Sequence, residues 1–89
     1  MTLFDIFPRT TFVHKNDIGE QLRHVRSEAD ESMDAFVDNE SAFRIAEELV
    51  DTIVSSVTGL RILAEKYDVD VEDIIRGVNG KNQFRGYHS

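Results

Sequence analysis

The sequence predicts an all-α protein. Apolar residues recur at steps of three and four along two long segments, as they do on one face of a helix. No segment shows the strict alternation of apolar and polar residues that indicates a half-buried strand. Residues that favour helix N-termini stand directly before the periodic segments. We therefore expect a helical bundle of two main antiparallel helices plus a short C-terminal helix, completed by oligomerisation.

The N-terminal stretch lacks a helical period. It contains Pro8, the only proline of the chain. Its large apolar residues are Phe4, Ile6, Phe7 and Phe12. We expect residues 1–15 to form an arm that packs on a helical domain of residues 16–80, and residues 81–89 to form a basic and aromatic tail.

The first long helix is predicted over about residues 18–37. Asp17 and Glu20 have the spacing of a capping box at its start. The apolar seam of this helix consists of Ile18, Leu22, Val25, Ala29, Met33 and Phe36. Several capping side chains in the segment DNES, residues 38–41, indicate a short connection to the next helix.

The second helix is predicted over about residues 40–67, and it is apolar on more than one side. Its seam consists of Phe43, Ala46, Val50, Ile53, Val57, Leu60, Ala64 and Tyr67. Apolar residues off the seam are Ile45, Leu49, Val54, Ile62 and Leu63. Because a chain of 89 residues buries a limited fraction of its surface alone, we expect a homodimer or homotetramer. Gly59 costs this helix about 1 kcal/mol relative to Ala, so we expect a packing reason such as the close approach of another helix, which would fit a subunit contact.

A third, short helix is predicted from Val71 to about Val78. Asp70 and Asp73 have the spacing of an N-cap and its partner. The Asn79-Gly80 pair suits a left-handed turn at the C-terminus, so we expect the helix to end there.

Composition and charge exclude several classes of function. The chain has 17 acidic and 10 basic side chains, and the net charge of -7 disfavours direct nucleic-acid binding. With no cysteine, a metal must be held by oxygen or by one of the histidines, His14, His24 and His88, which favours hard cations. No stretch approaches the roughly 18 uninterrupted apolar residues of a membrane span. We expect a soluble, cytoplasmic protein with no membrane partner.

Two acid pairs are the strongest functional signal. Glu28 and Glu31 lie one turn apart on the first helix, and Glu48 and Asp51 lie one turn apart on the second. If the helices pack antiparallel about 8–10 Å apart, the four carboxylates meet in one cleft. Mutual repulsion then favours a bound cation, and Mg²⁺ prefers oxygen ligands. The alternative is that these acids form a solvated helix face, which is the usual place for such residues.

The tail carries a second signal. Lys81 and Arg85 place two cations just after the third helix, with Asn82 between them, and this set suits phosphate oxygens. The alternative is a mobile, solubilising C-terminus, which is common in proteins.

Together these residues resemble the MazG-like, all-α nucleoside triphosphate pyrophosphohydrolases. Members of that family are similar in having an ExxE helix, a linker, and a second helix that opens with an EExxD element. Here these elements are Glu28-Ala29-Asp30-Glu31 and Glu47-Glu48-Leu49-Val50-Asp51. A Lys-Asn-x-x-Arg element follows, formed by Lys81, Asn82 and Arg85. The resemblance covers about residues 18–87.

The resemblance implies Mg²⁺-dependent hydrolysis of an NTP or dNTP to the monophosphate and pyrophosphate, with Mn²⁺ as the alternative ion. The residues that it implies as metal-binding and catalytic are Glu28, Glu31, Glu48 and Asp51. The residues that it implies as phosphate-binding are Lys81, Asn82 and Arg85. The resemblance leaves open which glutamate acts as the general base, with Glu31 as one candidate. The short length is similar to that of phage-type members, and a phage-encoded protein would lie in the host cytoplasm.

The sequence departs from the family pattern at two places. Ser27 stands where members often have a further glutamate, and Ser32 stands where they often have a large aliphatic residue. The competing interpretation is therefore a non-catalytic, acidic helical interaction module that retains the fold.

Overall fold

The fold consists of helices and connecting segments. It is given by a computed structural model that describes residues 1–88, and no strand occurs in that range. The helices are α1 Leu3–Ile6, α2 Phe12–Lys15, α3 Ile18–Val37, α4 Ala42–Tyr67 and α5 Val71–Phe84. The all-α prediction is confirmed. Among the described residues, every helix is too short or too polar to cross a lipid bilayer.

The helix starts are set by the capping side chains that the sequence indicates. The Asp17 carboxylate accepts the Glu20 main-chain N–H at 2.7 Å, and the Glu20 carboxylate accepts the Asp17 N–H at 3.0 Å. The Ser41 hydroxyl accepts the Arg44 N–H, and α4 therefore begins at Ala42. Each cap satisfies a main-chain donor that has no partner inside its helix, which stabilises the start of the helix.

Helices α3 and α4 form the body of the molecule as an antiparallel pair. Gln21, near the start of α3, lies against Ser55 and Gly59 in the second half of α4. Glu28, seven residues later, lies near Asp51 in the first half of α4. Later positions of α3 thus contact earlier positions of α4, so the two helices are antiparallel. This is expected for helices joined by the short segment 38–41.

The face that α3 turns toward α4 contains only the first part of its apolar seam. Gln21 and Ala35 are buried, whereas Leu22 is 59% exposed, Met33 61% and Phe36 65%. Helix α4 covers the stripe that contains Gln21, so the seam that we expected to be covered is left largely open within one chain.

The close helix approach at Gly59 occurs within the chain. A Cβ atom on Gly59 would lie 3.6 Å from Gln21 Cγ and 3.9 Å from Ile18 Cδ1, both on α3. The expectation of a tight contact is right, but the prediction that it is a subunit contact is wrong, because α3 of the same chain makes it.

The N-terminal arm packs on α4 and contains two short helices. The Arg61 guanidinium donates to the main-chain carbonyls of Phe4 and Phe7 and lies 4.5 Å from the Phe4 ring centroid. Arg9 pairs with Glu65, one turn further along α4. The apolar residues that are buried in the described part of the chain are Val13, Ala35, Val57, Ile62 and Val71.

Helix α5 is longer than the sequence pattern predicts. Its N-cap is Asp70, as predicted, but the helix continues through Asn79 and Gly80 to Phe84. The left-handed residue that follows is Gly86, with φ of +78°. Glycine lowers helix propensity by about 1 kcal/mol relative to Ala but does not by itself end a helix. The left-handed turn predicted at Gly80 is therefore formed six residues later, at Gly86. Helix α5 has only slight contact with the rest of the chain.

Candidate metal centre

Three carboxylates converge between α3 and α4. Glu28 comes from α3, and Glu48 and Asp51 come from successive turns of α4. One oxygen from each lies within 4.8 Å of the others. The side chains of Glu28 and Glu48 are only 18% and 13% exposed, whereas Asp51 faces solvent.

This set of donors fits a hard divalent cation. Mg²⁺ binds oxygen at about 2.1 Å, so two oxygens on one ion are at most about 4.2 Å apart, and Ca²⁺ permits about 5 Å. A spacing within 4.8 Å therefore needs side-chain movements of less than about 1 Å to close on Mg²⁺. Two of the three carboxylates are largely shielded from water, which strengthens their electrostatic attraction to a bound cation.

The electrostatics at Glu28 indicate uncompensated negative charge. Partial burial, followed by the charge of Glu31 and a hydrogen bond between the two carboxyl groups, raises the pKa of Glu28 above its usual range. Asp51 adds to this effect, and His24 opposes it. Burial without a sufficient partner disfavours the charged form of an acid.

A guanidinium and an imidazole contact the carboxylates from their own helices. Arg44 donates to Glu48 Oε1 at 2.8 Å and to Glu47 Oε1 at 2.9 Å. His24 Nε2 lies 3.2 Å from Glu28 Oε1, as its spacing of four residues predicts. Glu48 is therefore partly neutralised by a permanent cation, whereas Glu28 has only a titratable one.

A cavity of about 230 Å³ opens directly beside the carboxylates. Glu28 and Asp51 line it, together with His24 of α3. The opposite wall comes from the N-terminal arm, through Thr10 and Phe12. The cavity therefore joins the acidic cluster to an aromatic and hydroxyl-bearing surface.

The inner wall of this cavity belongs to α4 and to the start of α3. Val54, Ser55 and Thr58 line it, together with Gln21, which is fully buried. The Gln21 amide donates to the Ser55 carbonyl at 2.9 Å and accepts from the Asn16 amide at 2.8 Å. Because both polar ends of Gln21 have partners within the chain, Gln21 has little left to offer a ligand.

Comparison with known families identifies the domain. The MazG nucleotide pyrophosphohydrolase domain matches residues 18–89. The chain belongs to the MazG family. The resemblance seen in the sequence is thereby confirmed, and MazG proteins are NTP pyrophosphohydrolases that generally use divalent metals. No curated protein and no solved structure is significantly similar to the chain.

Glu31 is the one predicted acid that this MazG chain leaves outside the cluster. It is exposed on α3, yet close enough to raise the pKa of Glu28. The structure thus brings together Glu28, Glu48 and Asp51, and it places Glu31 at their edge.

The predicted phosphate-binding residues of this MazG chain lie elsewhere. Lys81 and Asn82 are on the last turn of α5, and Arg85 is its C-cap. None of the three lines the cavity beside the carboxylates. Within one chain, the basic residues and the acidic cluster remain separate.

Sequence reasoning missed two parts of this MazG site. Arg44 was detectable, because it lies four residues before Glu48 on the same helix. Thr10 and Phe12 were not, because the arm has no period and its contacts with α4 span 48 residues or more. The MazG match begins at residue 18, so the arm contributes to the cavity from outside the matched domain.

Proposed function

We propose that this MazG chain hydrolyses a nucleoside triphosphate, either an NTP or a dNTP, to the monophosphate and pyrophosphate, with Mg²⁺ or Mn²⁺. The observation that carries the proposal is the convergence of Glu28, Glu48 and Asp51 in a chain of this family. A solvated helix face would not bring acids of two helices together with two of them largely buried.

Glu28, Glu48 and Asp51 are the residues that would hold the metal. A bound divalent ion neutralises the triphosphate and lowers the pKa of water. A triphosphate carries about four negative charges and faces these acids, which favours more than one ion at the site.

Glu31 is the candidate general base. It lies beside the cluster without belonging to it, so one carboxylate stays available to accept a proton. In the proposed reaction, water forms a bond to the α-phosphorus and gives its proton to Glu31. The bond from the α-phosphorus to the bridging oxygen breaks, and pyrophosphate leaves.

Lys81, Asn82 and Arg85 are proposed to bind phosphate oxygens, and they would act from a second copy of the chain. They do not line the cavity of their own chain, and α5 has few contacts that fix it there. The exposed seam residues Leu22 and Phe36 support an assembly, because a water-soluble monomer seldom exposes a continuous apolar stripe. We propose a homodimer or homotetramer.

The proposal is tested by incubating the protein with each NTP and dNTP in Mg²⁺, in Mn²⁺ and in EDTA. Monophosphate and pyrophosphate are measured by anion-exchange chromatography. We expect both products in equal amounts and only with a divalent ion. Glu48→Gln and Asp51→Asn should lower kcat/KM by about 100-fold or more, since even residues behind metal ligands cost 10–100-fold.

Asp30→Asn is the matched control, because Asp30 is an exposed acid on α3 that does not belong to the cluster. Its kcat/KM should stay within twofold of the wild type. Equal product formation in EDTA, or unchanged turnover in both cluster variants, would contradict the proposal.

A further inference from the structure

The N-terminal arm places an aromatic ring over the cavity. Phe12, on α2, is 41% exposed, and its ring centroid lies 5.5 Å from that of His24, with the ring planes 34° apart. His24 in turn contacts Glu28. An aromatic face that is half open to solvent therefore stands one side chain away from the acidic cluster.

The arm is fastened, so the position of this ring is set before a ligand arrives. Thr10 Oγ1 and Thr58 Oγ1 share a hydrogen bond of 2.9 Å across the cavity wall. Arg61 holds the main-chain carbonyls of the preceding turn, and Arg9 pairs with Glu65. A preorganised wall reduces the entropy lost when a ligand binds.

Size and chemistry indicate which part of a nucleotide fits here. The cavity of about 230 Å³ is smaller than the range of about 300–1,000 Å³ for sites that enclose a drug-sized ligand. It therefore holds a fragment of the substrate. Phosphates belong at the open, metal-binding side formed by Glu28 and Asp51, since the arm residues of the cavity, Thr10 and Phe12, carry no cation.

The rest of the substrate is the sugar with its nucleobase, and the nucleobase is the part that can stack on an aromatic ring. Base stacking on an aromatic side chain contributes about 1–3 kcal/mol, and it accepts any base because each has a π face. Within the Thr10–Thr58 pair one hydroxyl keeps its proton to donate and both can still accept, so the pair suits the keto and amino groups of a base edge.

We propose that the N-terminal arm forms the nucleobase subsite of the enzyme, with Phe12 stacking on the base and the Thr10–Thr58 hydroxyl pair hydrogen-bonding to its edge. The inference rests on the proposed function and adds a specificity determinant from outside the MazG domain. It also assigns substrate contacts to a segment, residues 10–12, that shows no motif of its own.

The test compares Phe12→Ala, Phe12→Leu and Phe12→Tyr with Phe43→Ala, an exposed phenylalanine at the start of α4 that does not line the cavity. The dissociation constants of UMP, CMP, AMP and GMP, which lack the bond that the proposed reaction breaks, are measured by calorimetry in Mg²⁺. Steady-state kinetics with the corresponding triphosphates and Mg²⁺ give KM and kcat separately.

We expect Phe12→Ala and Phe12→Leu to weaken monophosphate binding and raise KM by about 5- to 100-fold, with a smaller change in kcat, since stacking is lost in both. Phe12→Tyr should restore both values, and Phe43→Ala should leave them within twofold of the wild type. Rescue by Tyr but not by Leu separates stacking from a packing role.

The two proposals fail in different measurements. If pyrophosphate is produced but Phe12→Ala binds all four monophosphates as the wild type does, the base subsite is wrong and the hydrolase assignment stands. If no pyrophosphate is produced, the binding data still decide the subsite: weaker binding in Phe12→Ala supports it, and equal or absent binding overturns it.

Discussion

The side-chain amide of Gln21 donates a hydrogen bond of 2.9 Å to the main-chain carbonyl of Ser55 in the interior between α3 and α4. Gln21 has no exposed surface, and its oxygen accepts from Asn16. This contact fixes how the two helices are aligned, because a side chain can reach that carbonyl at only one offset of α3 along α4. Seven residues after Gln21, the same alignment brings Glu28 beside Asp51.

Replacing Gln21 with Ala should therefore destabilise the fold. The substitution leaves the Asn16 amide without its buried partner and opens a cavity, and we expect a loss of about 2–4 kcal/mol in the free energy of unfolding. Urea denaturation followed by circular dichroism measures it. Gln83→Ala, at an exposed position of α5, is the control and should stay within about 0.5 kcal/mol of the wild type. A similar midpoint for both variants would show that the buried amide does not hold the helices.

Glu28→Gln should stabilise the metal-free protein while weakening its response to metal. Burial and the charge of Glu31 raise the pKa of Glu28, so the folded state disfavours the ionised form and loses stability as pH rises through that pKa. At pH 7 in EDTA, removal of this charge should raise the melting temperature, corresponding to about 0.5–1 kcal/mol.

Added Mg²⁺ should reverse the order of the two proteins. The wild type gains stability from binding in proportion to RT ln(1 + [Mg²⁺]/Kd), whereas Glu28→Gln gains less. Thermal melts with and without Mg²⁺ measure both effects, and added NaCl at equal ionic strength controls for screening. A lower melting temperature of Glu28→Gln in EDTA would contradict the account of repulsion at this site.

The ion pair between Arg9 and Glu65 should make the attachment of the arm depend on pH. The hydrogen bond from Arg9 lowers the pKa of Glu65 below its ordinary value of about 4.3. Its contribution to stability is then fully present above that value and is lost as pH falls through the lower, folded pKa. Glu65→Gln should lower the melting temperature at pH 7, with a difference that shrinks as pH falls below 4.

A double-mutant cycle with Arg9→Gln isolates this pair. The coupling between the two substitutions should be present at pH 7 and absent at the lowest pH where the wild type still melts cooperatively. Both side chains are more than a third exposed, so the effect is expected to be small and to weaken in high salt. Coupling that is independent of pH would assign the effect to packing of the arm and not to charge.

The exposed seam of α3 predicts self-association. Met33 and Phe36 are 61% and 65% exposed on the side of α3 that α4 does not cover. Light scattering coupled to size-exclusion chromatography should show a dimer or tetramer, and Phe36→Lys should shift it toward monomer at the same protein concentration. Asp30→Asn changes the net charge by the same amount and is the control. A wild-type protein that stays monomeric at about 100 times the protein concentration of the activity assay would contradict this prediction.

Local signals in the sequence predicted the three longer helices well, whereas α1 and α2 were not predicted. The capping pairs at Asp17 and Asp70 and the periodicity of apolar residues gave the starts of α3 and α5 correctly, because caps and periodicity act over three or four residues. The predicted end of α5 was wrong. The Asn79-Gly80 pair favours a turn, but it is also tolerated inside a helix when the residues on both sides continue that helix.

The pattern of apolar residues did not predict which faces of the helices pack against each other. The seam of α3 is its most apolar face, yet the side turned to α4 carries the amide of Gln21 and the carboxylate of Glu28. A partner outside the chain is one way to cover that seam, and periodicity does not say which partner covers which face. The pairing of acids on two helices was expected from their spacing, whereas the contribution of Thr10 and Phe12 depends on where the arm returns to α4.

The attachment of the arm through Arg61 and Glu65 has an evolutionary consequence. Both anchors lie on α4 beyond Thr58, two or more turns away from Asp51. Replacements at residues 10–12 can therefore reshape one wall of the cavity while the acid-bearing turns keep their geometry. Selection can thus change the proposed base subsite within one short segment and leave the carboxylates untouched.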